Sequence, residues 1–180
     1  MPTKDRLLRN ALTIILLIPS STFGQNVGLK NPLDNKLIRA AREIMFSAGT
    51  CALITLDEEG RPRVRTMDPF LPDSTMTVWF GTNIKSRKVD QIRNDPRVTL
   101  YYLDSDNTGY VMVYGTAELV DPKIEKEERW KVEWEAFYQN KSEEYFLIKV
   151  SPEWIEVLSE SRDILGDSIT WKPPVVFFNK

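Results

Sequence analysis

The 180-residue chain carries 24 Lys and Arg against 26 Asp and Glu, one cysteine and no histidine. That near-neutral balance argues against a nucleic-acid binder, and 42% hydrophobic residues with five tryptophans argue against disorder. Without imidazole there is no Ser-His or Cys-His nucleophile pair and no His-ligated zinc or haem, and the lone Cys51 gives no thiolate cluster, so difficult chemistry would fall to a bound cofactor.

In chain order, residues 1–24 differ from the rest. Lys4, Arg6 and Arg9 precede a short apolar run over 11–18, then Pro19 and small residues to Gly24. This is the pattern of a secretory signal cleaved after Gly24, with a core too short to span a bilayer. No cysteine near the cleavage point offers a lipid anchor, so no stable membrane anchor is expected. Cleavage would leave 21 basic against 25 acidic residues and place the protein in the periplasm or outside the cell; without cleavage it would be cytoplasmic. An amphipathic helix is the weaker reading, because the run has no polar stripe.

Asn31-Pro32 can start a helix in which Leu33, Leu37, Ala41, Ile44, Met45 and Ala48 recur at helical spacing, and Gly49 stops it. A strand over 50–56 turns through Asp57-Glu58-Glu59-Gly60 into a hairpin partner at 64–67. Cys51 lies in the first of these and reads as a buried, inert thiol. A strand at 76–81 follows, then a short helix over 86–94 closed before Pro96. Strands at 98–103 and 110–120 flank a polar turn.

Asp121-Pro122 is expected to open a helix with Trp130, Trp134, Phe137 and Tyr138 on one face, serving core or dimer packing. Strands at 145–150 and 154–158 come next, and a tail at 169–178 reads as extended. Strand pairs joined by tight turns, with helices at intervals, point to one mostly-β domain, an antiparallel barrel or sandwich. The expected division is a signal at 1–24, a domain at 25–160 and a C-terminal tail at 161–180.

Two segments carry candidate chemistry. In Gly60-Arg61-Pro62-Arg63-Val64-Arg65-Thr66-Met67, strand alternation puts Arg61, Arg63 and Arg65 on one face. In Thr82-Asn83-Ile84-Lys85-Ser86-Arg87-Lys88, a strand end runs into a helix start, where N–H groups and the helix dipole favour an anion. Taken singly, each is more commonly a solvated arginine face or a capped helix.

Taken in order, with Trp79-Phe80-Gly81-Thr82-Asn83, Asn94-Asp95-Pro96-Arg97-Val98 and Val113-Tyr114-Gly115-Thr116, they resemble the pyridoxamine 5′-phosphate oxidase-like family of FMN-binding split β-barrels, and most closely its general stress protein 26-like branch. The resemblance spans about residues 33–158. It implies an antiparallel split barrel and a homodimer with FMN between subunits. By the same resemblance, Arg65 and Lys88 would hold the FMN phosphate with Ser86 and Arg87 nearby. Thr66 and Met67 would offer backbone groups to the ring, Thr82 would contact ribityl or ring atoms, and Tyr110 would reach the flavin of its own subunit or of the partner.

The chain departs from the vitamin B6 oxidase itself: it lacks the histidine and the C-terminal arginine signature that position pyridoxal phosphate. Oxidation of pyridoxamine phosphate is therefore not expected. The apparent signal is a second departure, and no Arg-Arg pair suggests twin-arginine export. Trp171, beside Pro173-Pro174, is the tryptophan placed to reach a ligand. The expected function is a flavin-dependent oxidoreductase of unknown substrate. Three alternatives stay open: deazaflavin F420 in place of FMN, a non-catalytic flavin-binding stress protein, and an exported β-barrel ligand carrier.

Overall fold

A computed structural model describes residues 32–121, 123–138 and 140–178; the signal segment read at 1–24 lies outside them. Helix α1 (Pro32–Ala48) buries Leu37, Ala40, Ala41, Ile44 and Met45, the stripe expected from the sequence. The strands are β1 (Cys51–Leu56), β2 (Pro62–Met67), β3 (Val78–Asn83), β4 (Arg97–Leu103), β5 (Gly109–Val120), β6 (Tyr145–Ser159) and β7 (Val175–Phe177). Helix α2 (Arg87–Asn94) sits between β3 and β4, and α3 (Lys123–Glu128) and α4 (Lys141–Glu144) lie between β5 and β6.

All the strand pairs are antiparallel, in the order β2-β1-β4-β5-β6-β3, with β7 also on β6. The two ends of this order approach each other at one bridge, Pro69 to Phe80, reinforced by the Phe70 N–H donating to Trp79 O at 2.8 Å. The sheet therefore curls into a barrel that stays split between the outer edges of β2 and β3. Leu53, Phe80, Leu100, Val111, Val113, Ile148 and Val157 fill its inside, as period-2 alternation requires. Helix α1 packs on the β4–β7 side, while α2 covers β1 and β5.

Two expectations are corrected. The two strands expected at 145–150 and 154–158 are one 15-residue strand, Tyr145–Ser159. Proline has no N–H for a ladder, but Pro152 falls at a register shift opposite Gly115, where a Cβ would stand 2.1 Å from Ser151 O. The bulge removes the conflict and bends β6, so its first half pairs with β3 and its second with β7.

The long helix expected after residue 121 is broken. Helix α3 ends at Glu128 and a 3₁₀ turn follows over Val132–Ala136. The Tyr145 hydroxyl donates to Arg129 O, a carbonyl that a continuous helix would pair with the N–H of residue 133. Trp130, Tyr138 and Tyr145 interlock edge-to-face, with Trp134 beside them. Phe137, expected on that face, is 73% exposed.

Candidate functional site: a cation cluster beside the split

Because β2 is an edge strand, its register on β1 decides what Arg65 can reach. Arg65 stands opposite Leu53 and Arg63 opposite Thr55, both inward-facing. The Arg65 fork is fixed on three acceptors: Nη1 donates to Thr55 Oγ1 at 2.7 Å and Leu53 O at 3.2 Å, and Nη2 donates to Gln91 Oε1 at 2.8 Å. Thr55 in turn donates to the same Gln91 oxygen at 2.6 Å. Gln91 is delivered by α2, which Val89 and Ile92 anchor in the interior.

The first turn of α2 supplies the second cation. Lys88 Nζ donates to Ser86 Oγ at 3.1 Å and to Thr82 Oγ1 at 3.2 Å. Thr82, at the end of β3, is buried. Ser86 occupies the helix N-cap, yet its hydroxyl makes no capping bond; it lies 3.1 Å from Thr82 Oγ1 instead. The usual reason for a serine at that position is a bond to the N2 or N3 amide, so here the side chain is turned to the cluster.

The electrostatics are one-sided. Among the described residues, no carboxylate pairs with Arg65, Arg87 or Lys88. Burial, and then the Arg65 charge, pull the Lys88 ammonium below the usual lysine range. Burial, Arg63 and Arg87 do the same to Arg65. Half-buried cations that weaken one another and lack an acid need an anion. A phosphate monoester with close to two negative charges meets that need through charge-assisted hydrogen bonds. The donor set therefore fits the phosphate end of FMN.

The remaining expected residues lie outside this hydrogen-bonded cluster. Arg87 is exposed beside the cluster; Thr66 is exposed on β2, and Met67 packs against the core. Tyr110 is not brought to the cluster. It lies on the outer face of the sheet, donates to Glu156 Oε1 at 2.6 Å and stacks on Tyr101 at 5.4 Å. Trp171 is 85% exposed on the loop before β7. Cys51 is buried and its thiol is pushed up to about 12, so thiolate chemistry is closed to it.

Gln91 and Thr55 were missed by sequence reading. The signals were present: Thr55 alternates inward with Cys51 and Leu53, and Gln91 follows Lys88 at i+3 on the same helix face. Gln91 also lines a cleft of about 280 Å³ that adjoins the cluster, together with Arg63, Arg87 and residues of the β1–β2 turn.

Comparison with known proteins now bears on this geometry. Residues 37–166 match the family described as pyridoxamine 5′-phosphate oxidase like. The chain belongs to that family. No curated protein matches it in sequence. Within the family fold, it is similar to a Clostridium acetobutylicum protein related to general stress protein 26, with TM-score 0.64 and 21% identity over 80% of this chain and 95% of that one. General stress protein 26 of Bacillus anthracis gives TM-score 0.62 and 21% identity over 81% and 98%. A pyridoxamine 5′-phosphate oxidase-related, FMN-binding protein of Nostoc punctiforme gives 0.55 and 14% over 86% and 100%. Among the described residues, no helix is long and apolar enough to cross a membrane.

Proposed function

We propose that this family member is an FMN-binding flavoprotein, acting as an oxidoreductase on a small molecule other than pyridoxamine phosphate. The observation that carries the reading is the half-buried cation cluster without an acid, gathered from β2, β3 and α2 at the split. Arg65 and Lys88 would clamp the phosphate, with the Ser86 and Thr82 hydroxyls completing its shell and Arg87 adding charge from the rim. When bound, FMN supplies two-electron redox chemistry at its ring system. The protein's part is to fix the phosphate, present the unpaired edge of β2 at Thr66 and Met67 to the ring, and limit access of water.

The outer sheet face supports a homodimer as part of the same reading. Val64, Tyr101 and Leu103 are exposed there beside Tyr110, Met112, Tyr114 and Trp154. An apolar face of this kind is suited to a partner subunit, and from it Tyr110 would reach the partner's cofactor.

The test is a fluorescence titration of the full chain with FMN. Tight binding is expected for the native chain and a roughly ten- to hundredfold loss for Lys88→Ala, since a hydrogen bond to a charged group contributes about 1.5–3 kcal/mol. A folded Lys88→Ala protein that retains its full flavin complement would falsify the assignment. A monomer by light scattering that still binds FMN tightly would overturn the dimer.

A further inference from the structure

The loop over residues 165–174, which joins Ile164 to β7, is ordered by its own bonds yet leaves its largest side chains in water. Asp167 Oδ1 accepts the N–H groups of Ile169 at 3.1 Å and Thr170 at 2.7 Å, and the Thr170 hydroxyl at 2.9 Å. The Trp171 N–H donates to Asp167 O at 2.8 Å, and the Asp167 N–H to Lys172 O at 2.9 Å. Ile169 is 86% and Trp171 85% exposed, and Trp171 keeps a left-handed φ of 59°. A bulky residue adopts that conformation only at a cost in energy. A loop built to hold an isoleucine and an indole in solvent in this way is suited to a partner.

Strand order says where this loop goes when two copies meet through their outer faces. The second half of β6 carries β7, so at this end of the sheet the strands run β2-β1-β4-β5-β6-β7, and Phe177 continues the outer face beside Trp154. The midline falls between β4 and β5, where Tyr101 stacks on Tyr110. A two-fold axis along that midline gives a face-to-face, isologous contact. It lays β7 of one copy over β2 of the other, each about 12 Å from the midline at roughly 4.8 Å per strand. The same axis keeps strand ends together. Cys51 pairs with Met67, Ala52 with Tyr101, Leu103 with Tyr110 and Gly109 with Ser159, so Met67 and the chain after Ser159 lie at one end of the sheet. An axis across the strands would instead stack β2 on β2. That would set Arg65, Arg87 and Lys88, which no carboxylate pairs among the described residues, against their own copies. The chain after Ser159 meets those cations with the opposite sign: Glu160, Asp163 and Asp167 stand against Lys172, because Arg162 is committed to Asp104 and Glu43.

Resting on the FMN and dimer readings above, we infer that each flavin site is completed by the partner's Trp171, laid with Ile169 across the Met67 end of β2. The occupant of the exposed loop is thus a second copy of this chain. The indole covers a ring presented at Thr66 and Met67, and its part is contact and the exclusion of water. One subunit supplies the phosphate clamp and the other the cover, so neither holds a whole site alone.

The experiment pairs two deficient subunits. The native chain, Trp171→Leu, Lys88→Ala and a heterodimer of the two variants, co-expressed as full chains under two affinity tags, are titrated with FMN. Flavin emission is followed, because an indole stacked on the ring quenches it, and light scattering gives the oligomeric state. Trp171→Leu alters a solvent-exposed side chain, and circular dichroism checks its fold. It is expected to bind FMN about fivefold or more weakly than the native chain, the scale of one stacked aromatic ring, and with brighter bound emission. The heterodimer joins the intact clamp of the Trp171→Leu subunit to the indole of the Lys88→Ala subunit. It should regain one site per dimer with native affinity and native quenching, which neither variant has alone. A heterodimer as weak and bright as Trp171→Leu overturns the inference, as does Trp171→Leu with native affinity and emission, and both results leave the FMN reading standing. A native chain that binds FMN as a monomer overturns the dimer and the inference with it. A native chain that binds no FMN overturns the cofactor reading.

Discussion

Arg65 Nη2 donates to Gln91 Oε1 at 2.8 Å, so the edge strand β2 is tied to helix α2 through a side chain that carries no charge. The same oxygen accepts from Thr55, which closes a triangle of three polar groups at the barrel rim. Gln91 thus aims the guanidinium that the phosphate would meet.

Replacing Gln91 with Leu should weaken FMN binding by roughly three- to tenfold, the effect of about one net hydrogen bond on a preorganised cation. Arg65→Lys should be worse, because one ammonium cannot serve Thr55, Leu53 O and Gln91 in the same fork geometry. Flavin titration of both variants checks the order. Equal affinities would show that Arg65 acts as a point charge alone.

The pH dependence follows from Lys88. Its pKa is below the ordinary lysine value in the folded protein, chiefly from burial and then from Arg65. The folded state therefore holds this proton less firmly than the unfolded chain, and the charged lysine opposes folding. That cost is fully present below the folded pKa and disappears as pH rises from it to the unfolded value. FMN binding needs the charge, so affinity should fall over the same alkaline window. Paired thermal melts and flavin titrations between pH 7 and 10.5 should show apo stability from this group rising while affinity drops; Lys88→Met should flatten both trends.

At Gly81 a Cβ would sit 2.4 Å from Trp134 Cζ3 and 2.8 Å from Tyr145 Cε2. Gly81→Ala should cost about 1–3 kcal/mol through overpacking. That corresponds to a fall in melting temperature of roughly 2–4 °C per kcal/mol for a domain of this size. Scanning calorimetry on this variant and on Gly81→Ala/Trp134→Leu, which frees the space, should show partial recovery in the double variant.

Asp104 is 2% exposed and is held by Arg162 Nη1, with Ser47 Oγ at 3.4 Å. Arg162 also donates to Glu43 at 3.2 Å, linking the segment after β6 to α1 and the β4–β5 turn. Arg162→Ala would leave a buried carboxylate short of partners and should cost about 3–5 kcal/mol. Arg162→Ala/Asp104→Asn should recover part of this, as denaturant unfolding would measure.

The legible parts of this protein were those where local pattern and tertiary packing agree. The helical stripe of α1, the alternation in β1 and β5 and the order of the cationic motifs all survived into the structure, because a buried face imposes its period on the sequence. Three features were not legible. The sequence reads as two strands on either side of Pro152, since the bulge opposite Gly115 pairs residues 37 apart in the chain. The helix expected after residue 121 failed through a single carbonyl, Arg129 O, claimed by Tyr145 from another element. Ser86 looked like an ordinary helix cap, and only the position of Thr82 and Lys88 shows that its hydroxyl faces the cluster. Long-range pairing decided each case.

The split in the barrel has a consequence for solubility as well. An unpaired strand edge such as that of β2 is a template on which a strand of another molecule can add, the first step toward aggregation. Here Pro62 removes an amide from the start of that strand, and Arg63 and Arg65 place charges along it. The arginines gathered at this anion site would also repel an identical edge brought alongside. A variant that neutralises both Arg63 and Arg65 therefore stands to lose its colloidal stability along with its ligand.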